Sequence, residues 1–77
     1  MLELYGTASC PYTTQLREEL RWQHKTFVEY DVERDPEAFA RFIALSVGDR
    51  TVPVLVEDER VVQVGYEGHG CYAARQS

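Results

Sequence analysis

The apolar and polar positions of this chain alternate between a period of two and a period near four. Leu2–Tyr5, "LELY", switches apolar and polar at each step, the mark of a half-buried strand. Pro11 opens a helix at the one place where its missing N–H costs nothing. Tyr12, Leu16 and Leu20 follow at i, i+4 spacing and give that helix one apolar stripe. Thr26–Val32, "TFVEYDV", is β-branched and aromatic with period two, predicting a second strand. Asp35, Pro36 and Glu37 read as N-cap, first helical position and acidic first turn. Phe39, Phe42, Ile43 and Val47 supply the apolar face of this second helix, and Gly48 is placed to end it. "TVPVLVE" and "RVVQVG" are strand-like, with the polar turn "EDER" between them. The last segment, "YEGHGCYAARQS", is read as a short terminal helix.

The predicted order is therefore β-α-β-α-β-β-α. A helix between two strands implies a parallel pair with a crossover, and a tight polar turn implies an antiparallel hairpin. Together they make a small mixed sheet with helices packed on it, an α/β fold. The 77 residues predict a single domain, 1–77, with a modest core. No repeat, low-complexity tract or linker interrupts it.

Composition narrows the function. A net charge of -5 argues against nucleic acid, whose phosphates are neutralised by Lys and Arg. No apolar run approaches a membrane span, and "MLELYG" is too short and acidic for a signal peptide, so a soluble cytoplasmic protein is expected. Two cysteines are too few for a secreted disulfide scaffold. The groups "REEL", "EYDVERDPE" and "EDER" read as solvated faces and turns, and Trp22 reads as packing. "GYEGHG" lacks the spacing of a phosphate-binding loop.

The chemistry concentrates at "ASCPYTTQ". Cys10 falls at the N-cap of the first helix, where unpaired N–H groups present positive charge that favours a thiolate. The thiolate is the nucleophile of thiol–disulfide exchange. Pro11 fixes the helix entry, Tyr12 is placed to wall the thiol, and Thr13 offers a hydroxyl that can donate to the sulfur. The alternative is a cysteine that is merely a small buried hydrophobe.

"YGTASCPYTTQLREEL" and "DRTVPVLVEDERVVQVGYEG" together resemble the glutaredoxins, a branch of the thioredoxin-like folds, over about residues 2 to 68. "CPYT" is similar to the glutaredoxin active-site loop with Thr13 in place of its second cysteine; a small group with cysteine or selenocysteine at the first position is also similar. The resemblance implies a thioredoxin-like four-stranded mixed sheet and a nucleophilic Cys10. It implies a cis proline at Pro53 beside the sulfur, with Thr51, Val52 and Pro53 lining a groove for an extended disulfide substrate. Val64–Gly65 stands where the family binds the γ-glutamyl end of glutathione, and Arg50 matches a basic position able to pair with a carboxylate. The chain departs from the family at Thr7, where a basic residue is usual, at Tyr66, which breaks a glycine pair, and at "EGHG" beyond it.

Cys71 has two readings: a buried cysteine on the terminal helix, or a resolving thiol for Cys10. The resemblance brings the segment after the last strand near the active-site loop, and Gly68 and Gly70 would allow close approach. His69 and His24 are read as structural, and no metal is expected. The function expected is thiol–disulfide exchange through a mixed disulfide on Cys10, resolved by glutathione or by Cys71. The partner is a protein or low-molecular-weight disulfide, with glutathione as co-substrate, no other cofactor, and a monomeric chain. The alternatives are an iron–sulfur and glutathione-binding module, disfavoured by Pro11 and Tyr12, and a non-catalytic thioredoxin-fold adaptor.

Overall fold

The computed structural model describes residues 1–73. Strand β1 (Leu2–Gly6) is followed by helix α1 (Pro11–Trp22), β2 (Val28–Asp31), α2 (Pro36–Leu45), β3 (Thr51–Val52), β4 (Val54–Glu57), β5 (Arg60–Val64) and β6 (Cys71–Tyr72). Four strands form one mixed sheet in the order β2-β1-β4-β5. β1 runs parallel to β2, with α1 as the connection, and antiparallel to β4. β4 and β5 are joined within the expected "EDER" turn, but Glu57 and Arg60 pair as strand residues and only Asp58–Glu59 form the turn, both with positive φ as a type I′ hairpin requires. This is the thioredoxin-like mixed sheet. Among the described residues no helix is long and apolar enough to cross a membrane.

The sheet's period of two sorts its side chains onto two faces. Leu4 and Leu55 pack with Leu16 and Leu20 of α1. Tyr5, Val54 and Val56 pack with Ala38 and Phe42 of α2. β1 and β4 therefore each feed two small cores, one under each helix. Asp35 caps α2 as predicted, its Oδ1 accepting from the N–H groups of Glu37 and Ala38.

Four local expectations are corrected. The buried stripe of α1 is Thr13, Leu16 and Leu20, not Tyr12, which lies half-buried at the stripe's edge. A helix turns about 100° per residue, so Thr13 and Leu16 at i, i+3 share the sheet-facing side better than Tyr12 does. The second strand is shorter than Thr26–Val32, because only Val28–Asp31 lie opposite β1. "TVPVLVE" is two strands: Pro53 cannot donate to a ladder, and the chain changes sheet there. The terminal helix does not form at Cys71–Tyr72, which pair as a strand with β3, while residues 74–77 lie outside the described residues. Gly65, Gly68 and Gly70 disfavour a helix, and the open edge of β3 offers that segment backbone partners instead.

Val47 is the other departure. α2 ends at Leu45, and Val47 is 92% exposed with φ +53°. Gly48 N–H closes the helix end on the Ile43 carbonyl at 3.0 Å, which obliges Val47 to take the left-handed conformation that β-branched residues avoid. Val47→Gly removes that strain and is expected to stabilise the fold by about 1 kcal/mol, raising the melting temperature by about 4–8 °C. An unchanged melt would mean that the cap carries no strain.

Candidate active site

Cys10 is placed by the end of β1 and the start of α1. Its N–H donates to the Thr7 carbonyl at 3.3 Å, and its own carbonyl accepts from Thr14 N–H at 3.3 Å. The residue is extended, with φ −85° and ψ 117°, and it is the N-cap of α1 with Pro11 at the first helical position. Its side chain accepts no hydrogen bond from the helix. The sulfur turns inward: Cys10 is 1% exposed, and its Sγ lies 4.0 Å from the Val52 carbonyl oxygen. The Val52–Pro53 peptide is cis, and both residues are buried.

A tight hairpin delivers Cys71 to this point. Gly65 N–H donates to the Pro53 carbonyl at 2.7 Å, and Gly65 has φ +76°. A Cβ at Gly65 would sit 2.5 Å from the His69 carbonyl oxygen, so only glycine fits. The chain then folds on itself: Tyr66 and His69 exchange backbone hydrogen bonds at 2.7 and 2.9 Å, across a turn with positive φ at Glu67 and Gly68. The His69 ring stacks on Tyr12, with centroids 5.2 Å apart and an interplanar angle of 16°. β6 then runs antiparallel to β3, with Cys71 opposite Val52 and Tyr72 opposite Thr51, and Ala73 N–H donates to the Arg50 carbonyl at 2.7 Å.

Cys10 and Cys71 are joined by a disulfide, with their Cα atoms 5.9 Å apart. Of the two sulfur-bearing residues, Cys10 is buried and Cys71 is only half-buried. Cys71 therefore belongs neither to a helix nor to the inert core. Asp49 steadies the approach to β3: its Oδ1 accepts from Thr51 N–H at 2.9 Å, and that bond draws the Asp49 carboxyl below its ordinary range.

The remaining candidate residues fall around this centre. Pro11 is exposed on the helix start, and Tyr12 and Thr51 are half-buried. The Arg50 guanidinium packs over the Phe39 ring, 5.2 Å from its centroid. The Tyr66 hydroxyl donates to Glu19 on α1 at 3.1 Å, and that carboxylate pushes the phenol up from its usual value. Gly70, expected to allow close approach, leads into the β3–β6 pairing, and Ala73, which the sequence pattern did not single out, is fully buried beyond it. The only signal for Gly70 was its lack of a side chain.

Thr13 is fully buried, and its Oγ1 has no hydrogen-bond partner among the described residues. It packs so closely on β1 that a Cβ at Gly6 would collide with its Cγ2 and Oγ1. An orphaned buried hydroxyl is costly, whereas valine has nearly the same shape. Thr13→Val is thus expected to raise the stability of the oxidised chain by about 1 kcal/mol in denaturant titration. A loss of stability would mean that the hydroxyl has a partner.

Residues 2–62 match the family model for glutaredoxin. A probable glutaredoxin of Synechocystis sp. is 31% identical over 61 residues, which are 78% of this chain and 56% of that protein. The chain thus spans little more than half the length of this curated relative. The thioredoxin-like protein BC3987 superposes with a TM-score of 0.72 at 27% identity, over 80% of this chain and 84% of that one. The glutaredoxin of Archaeoglobus fulgidus shares the fold, with a TM-score of 0.71 at 24% identity over 86% of this chain and 75% of its own. A matched segment that runs from β1 into β5 and carries Cys10 and the Val52–Pro53 turn places the chain in a family: it belongs to the glutaredoxins.

Proposed function

We propose that this chain is a thiol–disulfide oxidoreductase that cycles between a Cys10/Cys71 dithiol and the Cys10–Cys71 disulfide. The observation that carries this reading is that disulfide, which joins a helix N-cap to a strand from the far end of the chain. In the reduced chain the α1 N-terminus favours Cys10 as thiolate. Thr13, three residues on along α1, carries a buried hydroxyl without a partner among the described residues, and we assign it to donate to that thiolate. The thiolate attacks one sulfur of a partner disulfide; a Cys10–partner bond forms and the other partner thiolate leaves. Cys71, once deprotonated, attacks the Cys10 sulfur, forms the intramolecular disulfide and expels the second partner thiolate. Two electrons pass from the chain to the partner.

The return half-reaction enters at Cys71. Cys71 is the less buried of the two residues, and attack on its sulfur expels Cys10, the leaving group that the helix stabilises. Thr51, Val52 and Pro53 form the groove for the partner, bordered by Pro11, Tyr12, Gly65 and Tyr66. Arg50 holds a partner carboxylate once its guanidinium leaves the Phe39 ring. Glutathione is the reductant we assign, a protein or small disulfide the oxidised partner, and the cytoplasm, with a monomeric chain, the setting.

Intact mass after exposing the reduced chain to oxidised glutathione tests this. The wild type is expected to end two hydrogens lighter with no adduct, and Cys71→Ser to keep one glutathione on Cys10. A stable adduct on the wild type would remove Cys71 from the cycle. No change in either protein would remove the exchange chemistry.

A further inference from the structure

The strand that closes the site lies on the edge where a partner would bind. In the oxidised chain β6 pairs with β3, and Cys71 is bonded to Cys10 as a partner's cysteine would be in a mixed disulfide. The Cα separation of 5.9 Å is ordinary for such a bond, so a separate strand in this register would reach Cys10 equally well. β6 is thus a tethered stand-in for a partner, and its fit reports what the groove accepts.

The fit is restrictive on one side of the cysteine. A Cβ at Gly70 would lie 2.7 Å from Thr51 Cγ2 and 2.8 Å from the Val52 carbonyl oxygen. One of these is backbone beside the buried Pro53 and has little room to give. On the other side Tyr72 is 70% exposed, so its side chain is unconstrained. The pairing continues to Ala73, whose N–H donates to the Arg50 carbonyl, two residues beyond the cysteine. That reach needs a polypeptide continuing past the cysteine.

We infer that the β3 groove selects extended polypeptide segments in which glycine directly precedes the reactive cysteine, with Thr51 and the Val52 carbonyl as the gate. The inference rests on the exchange chemistry proposed above. It also gives resolution a second role, because β6 settling onto β3 displaces the partner strand as Cys71 takes over the bond to Cys10.

Two peptides decide it: acetyl-Gly-Cys-Tyr-Ala-amide and acetyl-Val-Cys-Tyr-Ala-amide, each joined by a disulfide to thionitrobenzoate. The Cys10 thiolate attacks the peptide sulfur, the Cys10–peptide disulfide forms, and the electron pair of the broken bond leaves on coloured thionitrobenzoate. Rates are measured with Cys71→Ser and with reduced wild type, each divided by the rate with free mercaptoethanol. The Gly peptide is expected to react faster by about tenfold or more in both proteins. Thr51→Ser, which lacks Cγ2, is expected to narrow that ratio. Rates within about twofold of each other in both proteins would overturn the gate. No colour from either peptide, with Cys10 still alkylated by iodoacetamide, would overturn the exchange reading itself.

Discussion

Reducing the Cys10–Cys71 disulfide is expected to lower the melting temperature by about 15–30 °C. The bond links residues separated by 61 positions, so it removes a large share of the unfolded chain's freedom. Loop-closure entropy for a ring of that size corresponds to about 4 kcal/mol. A domain of this length has a total stability of only about 4–12 kcal/mol. Local structure argues the same way: β3 and β6 are two residues each, too short to hold as a ribbon without the cross-link. Thermal melts followed by circular dichroism, with and without reductant and with Cys71→Ser, measure the effect. Coincident melts would show that the bond constrains nothing that the packing does not already fix.

Phe42→Ala is expected to cost about 3–5 kcal/mol, the other large effect. Phe42 is fully buried on α2, stacked against Tyr5 at 6.5 Å and tilted against Phe39 at 6.2 Å. It shares one buried cluster with Val32, just past the end of β2, and Val54 of β4, so its removal leaves a cavity between that helix and the sheet. The cost falls on the same small total as loss of the disulfide. The variant is therefore expected to remain folded when oxidised and to unfold when reduced. Guanidinium titrations in both redox states check this. A loss below about 1 kcal/mol would mean that α2 collapses onto the sheet and closes the cavity.

Much of this architecture could be read from the chain before any coordinates. β1, α1 and α2 follow from periodicity, and Asp35, Pro36 and the "EDER" turn mark boundaries through local chemistry that the fold does not override. Cys10 was legible for the same reason, since an N-cap followed by Pro11 is a local signal. The misread positions are those set by distant neighbours. Thr13 is polar yet buried because Gly6 leaves room only for a close contact, and Val47 is apolar yet exposed because Gly48 closes the helix before it. The ring of Phe39 beneath the Arg50 guanidinium is likewise a contact between distant residues that no local pattern records. Cys71 is a strand residue only because β3 offers an edge, and no local pattern records that edge.

Covalently, the disulfide closes the oxidised molecule into a ring. Residues 10 to 71 form the closed circuit, and the exposed Asp58–Glu59 turn lies on it. A protease that nicks that turn opens the circuit without dividing the molecule. The two pieces, one with both helices and the other with β5 and β6, stay joined until a thiol cuts the remaining link. The redox state that closes the site also decides whether a single cleavage is survivable.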